Sequence, residues 1–128
     1  LLSGVPRSLP SMVKAFRVGE KAASVGFDWE RREDVWAKVQ EEIGEVQSEI
    51  DAKDHDALEG EFGDLFFALI NASRLYGIDP EQALERTNRK FIYRFGCIEK
   101  GAAEQGRELG DLTLEEMEEL WQAAKKCD

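Results

Sequence analysis

The chain has 128 residues, 42% hydrophobic and 34% charged, which suits one folded domain with a real core and excludes a disordered polyelectrolyte. Its formal net charge of −10, from 17 basic and 27 acidic residues, provides no basic stripe for a nucleic-acid backbone. No apolar run approaches the ~20 residues of a membrane span and no signal-peptide pattern is present, so a soluble, cytoplasmic protein without a membrane partner is expected. Cys97 and Cys127 lie outside any C-x-x-C spacing and read as incidental thiols.

Residues 1–8 contain Gly4 and Pro6 and read as an irregular lead-in or linker stump, leaving residues 9–128 as the domain. Met12, Val13, Phe16 and Ala23 predict a first helix over residues 9–25, closed by Gly26. The turn that follows carries Phe27 and Trp29, which read either as a hydrophobic plug between helices or as a wall of a ligand pocket.

A second helix is predicted over residues 34–51. Val35, Val39, Ile43, Val46 and Ile50 fall within about 80° of one another on a helical wheel and form a narrow core stripe. Lys38, Glu42, Glu45 and Glu49 flank that stripe, whereas Glu41 turns away. Residues 52–56, including the single histidine, His55, read as a polar connection to a third helix over residues 57–75. Its apolar arc is Leu58, Phe62, Leu65, Phe66, Leu69 and Ile70, with Glu61, Asp64 and Asn71 along one border and Glu59 turned to solvent. If the two stripes pack antiparallel, their acidic borders converge on one groove.

Gly77, Asp79 and Pro80 mark the next break, as helix end, N-cap and first helical residue. A fourth helix is predicted to residue 101, with Leu84, Thr87, Phe91, Phe95 and Ile98 on one face. Lys90 and Arg94, four apart, share its side, and Arg89 and Lys100 read as solvated charges. The glycine-rich stretch 101–110 reads as a loop or a frayed helix. Thr113 and Glu116 then make a capping box that opens a last helix through Met117, Leu120, Trp121 and Ala124. No strand pattern is present, so the fold class is all-α, a four- to five-helix bundle.

Two acidic pairs, E-x-x-E (Glu42, Glu45) and E-x-x-D (Glu61, Asp64), are the candidate chemistry. Each pair lies on one helix face, because residues three apart are neighbours there. Carboxylates alone, with no cysteine or histidine at ligand spacing, favour Mg²⁺, with Mn²⁺ as a substitute, over Zn²⁺. A di-iron bundle would need Glu-x-x-His motifs that the chain lacks. Glutamate is also a strong helix former, and either pair alone is compatible with a solvated helix.

These residues, taken in order, carry a resemblance. K-x-x-E-E-x-x-E (residues 38–45), E-F-G-D-L-F-F-A-L-I-N (61–71), T-N-R-K-F-x-x-R-F (87–95) and L-W-Q-A-A-K (120–125) resemble the MazG family of nucleoside triphosphate pyrophosphohydrolases. S-L-P-S-M and E-K-A-A-S-V-G-F-D-W (residues 20–29) are similar to the carboxy-terminal repeat of its tandem-domain members. The resemblance implies a homodimer that hydrolyses a nucleoside triphosphate to the monophosphate and pyrophosphate with Mg²⁺. It implies that Glu42, Glu45, Glu61 and Asp64 ligate the metal; that a carboxylate of the cluster, Glu45 or Glu42, orients the attacking water as base is a separate hypothesis from the expected mechanism. It further implies that Lys90 and Arg94 contact phosphates and that Trp121 and Lys125 lie near the base or the phosphates. Lys38 is a further substrate-binding candidate that, like Asn71 and Asn88, matches the pattern without a fixed individual role; Glu49 is an outlying acidic candidate, and Tyr93 replaces an arginine usual in the family. The alternatives are a non-catalytic helical dimerisation or regulatory module of a tandem protein, and a dUTPase-like or phosphoribosyl-ATP pyrophosphohydrolase relative.

Overall fold

The computed structural model describes residues 1–126; Cys127 lies outside the described residues, and Cys97 is a free thiol. Regular structure among the described residues is entirely helical, which agrees with the all-α reading. It comprises α1 (Ser11–Ser24), α2 (Val35–Ala52), α3 (His55–Leu75), α4 (Pro80–Glu104) and α5 (Leu114–Lys125), with single 3-10 turns at Leu2–Gly4, Arg32–Asp34 and Leu109–Asp111. Two compact units result: Leu1–Glu81, and a second that begins at Gln82.

The first unit is built on α2 and α3. Lys53 takes a left-handed conformation (φ 59°) and its N–H closes onto the carbonyls of Glu49 and Ile50, ending α2. Asp54 follows at once as N-cap, accepting the Ala57 N–H at 3.1 Å. Two residues therefore reverse the chain where the five residues 52–56 read as a connection. His55 is corrected from a loop residue to the first residue of α3, because the cap at Asp54 starts the helix immediately after it.

The seam between α2 and α3 holds Val35, Val39, Ala68 and Ala72, all buried, with Ile43, Leu65, Leu75 and Trp29 packed against them. Val35 is fully buried, worth about 1.5–3 kcal/mol relative to exposure. Ala68 and Ala72 are small enough to admit α2 closely, and this selects which edge of α3 is covered. Leu65 and Ile70 are covered as expected, but Phe62, Phe66 and Leu69 are exposed, Phe66 by 59%. The expected arc is thus wider than the seam. Ile50, at the end of the α2 stripe, is also exposed. Phe27 is not a plug: it is 83% exposed, while the neighbouring Trp29 reaches the core.

α1 lies against α3 through Gly19. A Cβ built there would stand 2.5 Å from Asn71 Oδ1, so no larger residue fits without displacing that side chain. Gly26 (φ 94°) and Gly77 (φ 72°) end α1 and α3 as expected, each in the left-handed geometry that glycine adopts without strain.

In the second unit α4 runs three residues beyond its expected end, to Glu104. Gly101 does not break it, because its missing side chain admits Leu120 of α5; a Cβ there would meet Leu120 Cδ2 at 2.8 Å. Ile98, Ala102 and Leu112 form the buried cluster, joined by Leu109, Met117, Leu120 and Trp121. Thr113 and Glu116 form the expected capping box at the start of α5. Arg107 donates to both Glu116 oxygens, at 3.2 Å to Oε1, and this hydrogen bonding is the main reason the Glu116 carboxyl falls from 4.5 to about 2. Of the expected α4 face only Ile98 is buried; Leu84, Thr87, Phe91 and Phe95 are exposed in the single chain.

Candidate active site

Three of the four acids meet. Glu42 projects from α2, Glu61 and Asp64 from α3, and one oxygen of each lies within 4.8 Å of the others. The i, i+3 spacing aligns Glu61 with Asp64 along one face, and the tight reversal at Lys53–Asp54 sets that face beside Glu42. Glu45 is exposed and is not a member of this trio, although its charge is felt at Glu61. Glu49, half-buried, acts on Glu61 in the same way.

The electrostatics are those of a carboxylate cluster short of positive charge. Glu61 is raised above the ordinary glutamate value, first by desolvation and then by repulsion from Asp64, Glu45, Glu42 and Glu49. Glu42 is 6% exposed, and its partner is Lys38, one turn earlier, with Nζ at 3.0 Å. That hydrogen bond is the principal cause of a raised Lys38 pKa. The lysine compensates one carboxylate and leaves the other two facing each other. Three oxygen donors without nitrogen or sulfur fit a hard divalent cation, which would relieve the repulsion at Glu61.

A cleft of about 280 Å³ opens beside the trio, lined by Trp29, Lys38, Glu42, Asp64, Phe67 and Asn71. Glu42 and Asp64 thus belong to both the acidic cluster and the cleft wall. Trp29 serves in both of the ways its sequence position allowed, packing on the core and facing the cleft. Phe67 was not legible as a lining residue, because its neighbours Phe62 and Phe66 dominate the apolar pattern. Asn71 is buried, and Arg74 donates to its Oδ1 at 3.4 Å while gripping Asp28 with two hydrogen bonds of 2.9 and 3.1 Å. Arg74 stands three residues after Asn71, a spacing that marks shared helix faces, but its partner Asp28 is 46 residues away in sequence.

The remaining candidates lie on the second unit. Lys90 and Asn88 are exposed on α4; Arg94 is half-buried, with its guanidinium carbon 5.4 Å from the centre of the Trp121 ring. Trp121 also packs against Phe91, centroids 5.2 Å apart, and Lys125 is exposed one turn further along α5. Tyr93 is exposed.

Residues 31–96 match the family model described as the MazG nucleotide pyrophosphohydrolase domain. A Thermotoga maritima protein named nucleoside triphosphate pyrophosphohydrolase/pyrophosphatase MazG is 42% identical over 120 residues, covering 94% of this chain and 46% of that protein. The nucleoside triphosphate pyrophosphohydrolase of Escherichia coli K12 is also 42% identical, over 127 residues, covering 98% of this chain and 48% of its own. An uncharacterized Bacillus subtilis protein, YabN, is 52% identical over 71 residues. The chain spans about half the length of the first two relatives. The matched segment takes in α2, α3 and most of α4, with every member of the acidic trio inside it, and the chain belongs to the MazG nucleotide pyrophosphohydrolase family.

Proposed function

We propose that this chain hydrolyses a nucleoside triphosphate to the monophosphate and pyrophosphate, with Mg²⁺ as cofactor and Mn²⁺ as an acceptable substitute. The observation that carries the reading is the meeting of Glu42, Glu61 and Asp64 within 4.8 Å, with Glu42 and Asp64 also lining a cleft, in a chain of the MazG family. Those three carboxylates would hold the cation. When bound, it would neutralise the triphosphate and lower the pKa of a coordinated water.

The chain's own residues do the rest. Lys38 holds the Glu42 carboxylate in place across 3.0 Å, so the buried acid is oriented before substrate arrives. Glu45, exposed beside the trio and outside it, accepts the proton of the attacking water; Glu42 is the alternative acceptor. The water oxygen bonds to the α-phosphorus, the bond from that phosphorus to the bridging oxygen breaks, and pyrophosphate departs. Lys90 and Arg94 bind its charge, and Trp121 and Lys125 contribute to the base or phosphate contacts. With the α-phosphate at the trio, the nucleoside half falls in the cleft of Trp29, Phe67 and Asn71, since the two sites share Glu42 and Asp64. Residues 9–128 act as one functional domain on this reading, in the cytoplasm and as a homodimer.

Glu61→Gln or Asp64→Asn should retain the helical circular-dichroism spectrum and lower Mg²⁺-dependent pyrophosphate release by on the order of a hundredfold. Lys90→Ala should chiefly raise KM. Wild-type rates in both acid variants would sink the assignment.

A further inference from the structure

The cleft wall has a polar element whose orientation is not left to chance. Arginine carries five N–H donors and no acceptor, so whichever side of the Asn71 carboxamide faces Arg74 must be its oxygen. Arg74 Nε and Nη2 both lie 3.4 Å from Asn71 Oδ1. The amide nitrogen is then the end of the carboxamide turned from the arginine, and Asn71 is among the residues that line the cleft. This assignment follows from the partner's chemistry, which settles the O/N ambiguity of an amide side chain.

Arg74 is itself held. Its guanidinium forks onto both oxygens of Asp28, at 2.9 and 3.1 Å, and the two side chains are only 12% and 22% exposed. Asp28 Oδ1 also accepts the Trp29 backbone N–H at 2.9 Å. One ion pair therefore ties the aromatic wall of the cleft to its amide wall. From the other side Gly19 closes the space, since any Cβ there would overlap Asn71 Oδ1 at 2.5 Å and crowd Arg74 Nε at 3.2 Å. Three elements, α1, the turn after it and α3, converge on one carboxamide.

We propose that Arg74, locked by Asp28 and backed by Gly19, is a positioning residue that presents the Asn71 N–H donors to the cleft, which thereby selects nucleotides offering a hydrogen-bond acceptor there. The proposal rests on the cleft receiving the nucleoside half. The acceptor is an oxygen or nitrogen of the base or the 2′-oxygen of the sugar.

The test compares wild type with Arg74→Lys, which keeps the charge but loses the fork, and Gly19→Ala, which displaces the carboxamide without removing any hydrogen-bond partner. Each is assayed on ATP, GTP, CTP, UTP and their 2′-deoxy forms with Mg²⁺. Both variants should raise KM for the preferred nucleotide about tenfold, the weight of one well-placed hydrogen bond, with kcat nearly unchanged. The preference ratios should flatten, across bases if the acceptor is on the base and between ribo- and deoxy-forms if it is on the sugar. Unchanged KM and ratios in both variants, or a fall in kcat alone, would overturn the proposal; a purely structural role would lower the melting temperature and leave the ratios intact. A second readout does not depend on turnover. The Asn71 side-chain NH₂ signals, assigned by their loss in Asn71→Asp, should move in wild type on adding Mg²⁺ with a non-hydrolysable nucleotide, and stay in place in Arg74→Lys. If wild type releases no pyrophosphate yet these signals move, the catalytic reading fails and the positioning role stands; signals that never move overturn the positioning role.

Discussion

At the scale of single residues, Glu61 is the most informative carboxylate. Its pKa is raised in the folded chain by desolvation and by four acidic neighbours, so ionising it costs the fold. The folded state then holds its proton to higher pH than the unfolded state does. Without divalent ions, stability should fall as pH rises through the window just above 4.5, the ordinary glutamate value. Glu61→Gln should flatten that slope in melts recorded in chelator between about pH 4 and 7; on the proposed function Mg²⁺ should raise the wild-type Tm, and this variant should lose that rise. A slope of wild-type size in Glu61→Gln would show that the repulsion lies elsewhere. The helical wheel made Glu42, Glu61 and Asp64 legible, because each borders an apolar stripe. It could not separate Glu45 from them, since a wheel reports angle and not position along the helix axis relative to a neighbouring helix.

At the scale of elements, helix ends were well marked where a residue type has one mechanical use. Gly26, Gly77 and the Thr113–Glu116 box all stand where the pattern put them. The α2–α3 reversal was not, because it uses Lys53 in a conformation (φ 59°) that no lysine signals. That conformation costs a residue with a Cβ roughly 1–2 kcal/mol. Lys53→Gly should therefore raise the unfolding free energy by about 1 kcal/mol, read from urea melts with an unchanged m value. A loss of stability would mean that glycine's added freedom in the unfolded chain outweighs the relieved strain. The register of Glu42 against Glu61 and Asp64 should be unaffected, so Mg²⁺-dependent Tm shifts should match wild type.

At the scale of the whole molecule, the exposed aromatics and aliphatics of α3 and α4 call for a cover. Phe62, Phe66 and Leu69 on one helix, and Leu84, Phe91 and Ile92 on the other, are large and exposed in the single chain. We infer that a second copy covers them. Light scattering should give twice the 14.5 kDa of the chain, and Phe66→Glu should shift the equilibrium toward monomer by about 2 kcal/mol or more, as for a central interface residue. A monomeric wild type would refute this. No helix among the described residues is long and apolar enough to cross a membrane, so these faces are surface patches and not spans. Sequence alone determined the all-α class, most helix limits and the acidic borders, because periodicity, caps and turn residues act over a few residues and leave a local trace. Only tertiary structure decided which half of each apolar arc is buried, which three acids meet, and that Asp28 holds Arg74 across 46 residues. Those outcomes depend on how closely the packed helices approach, and that distance is a property of the folded chain.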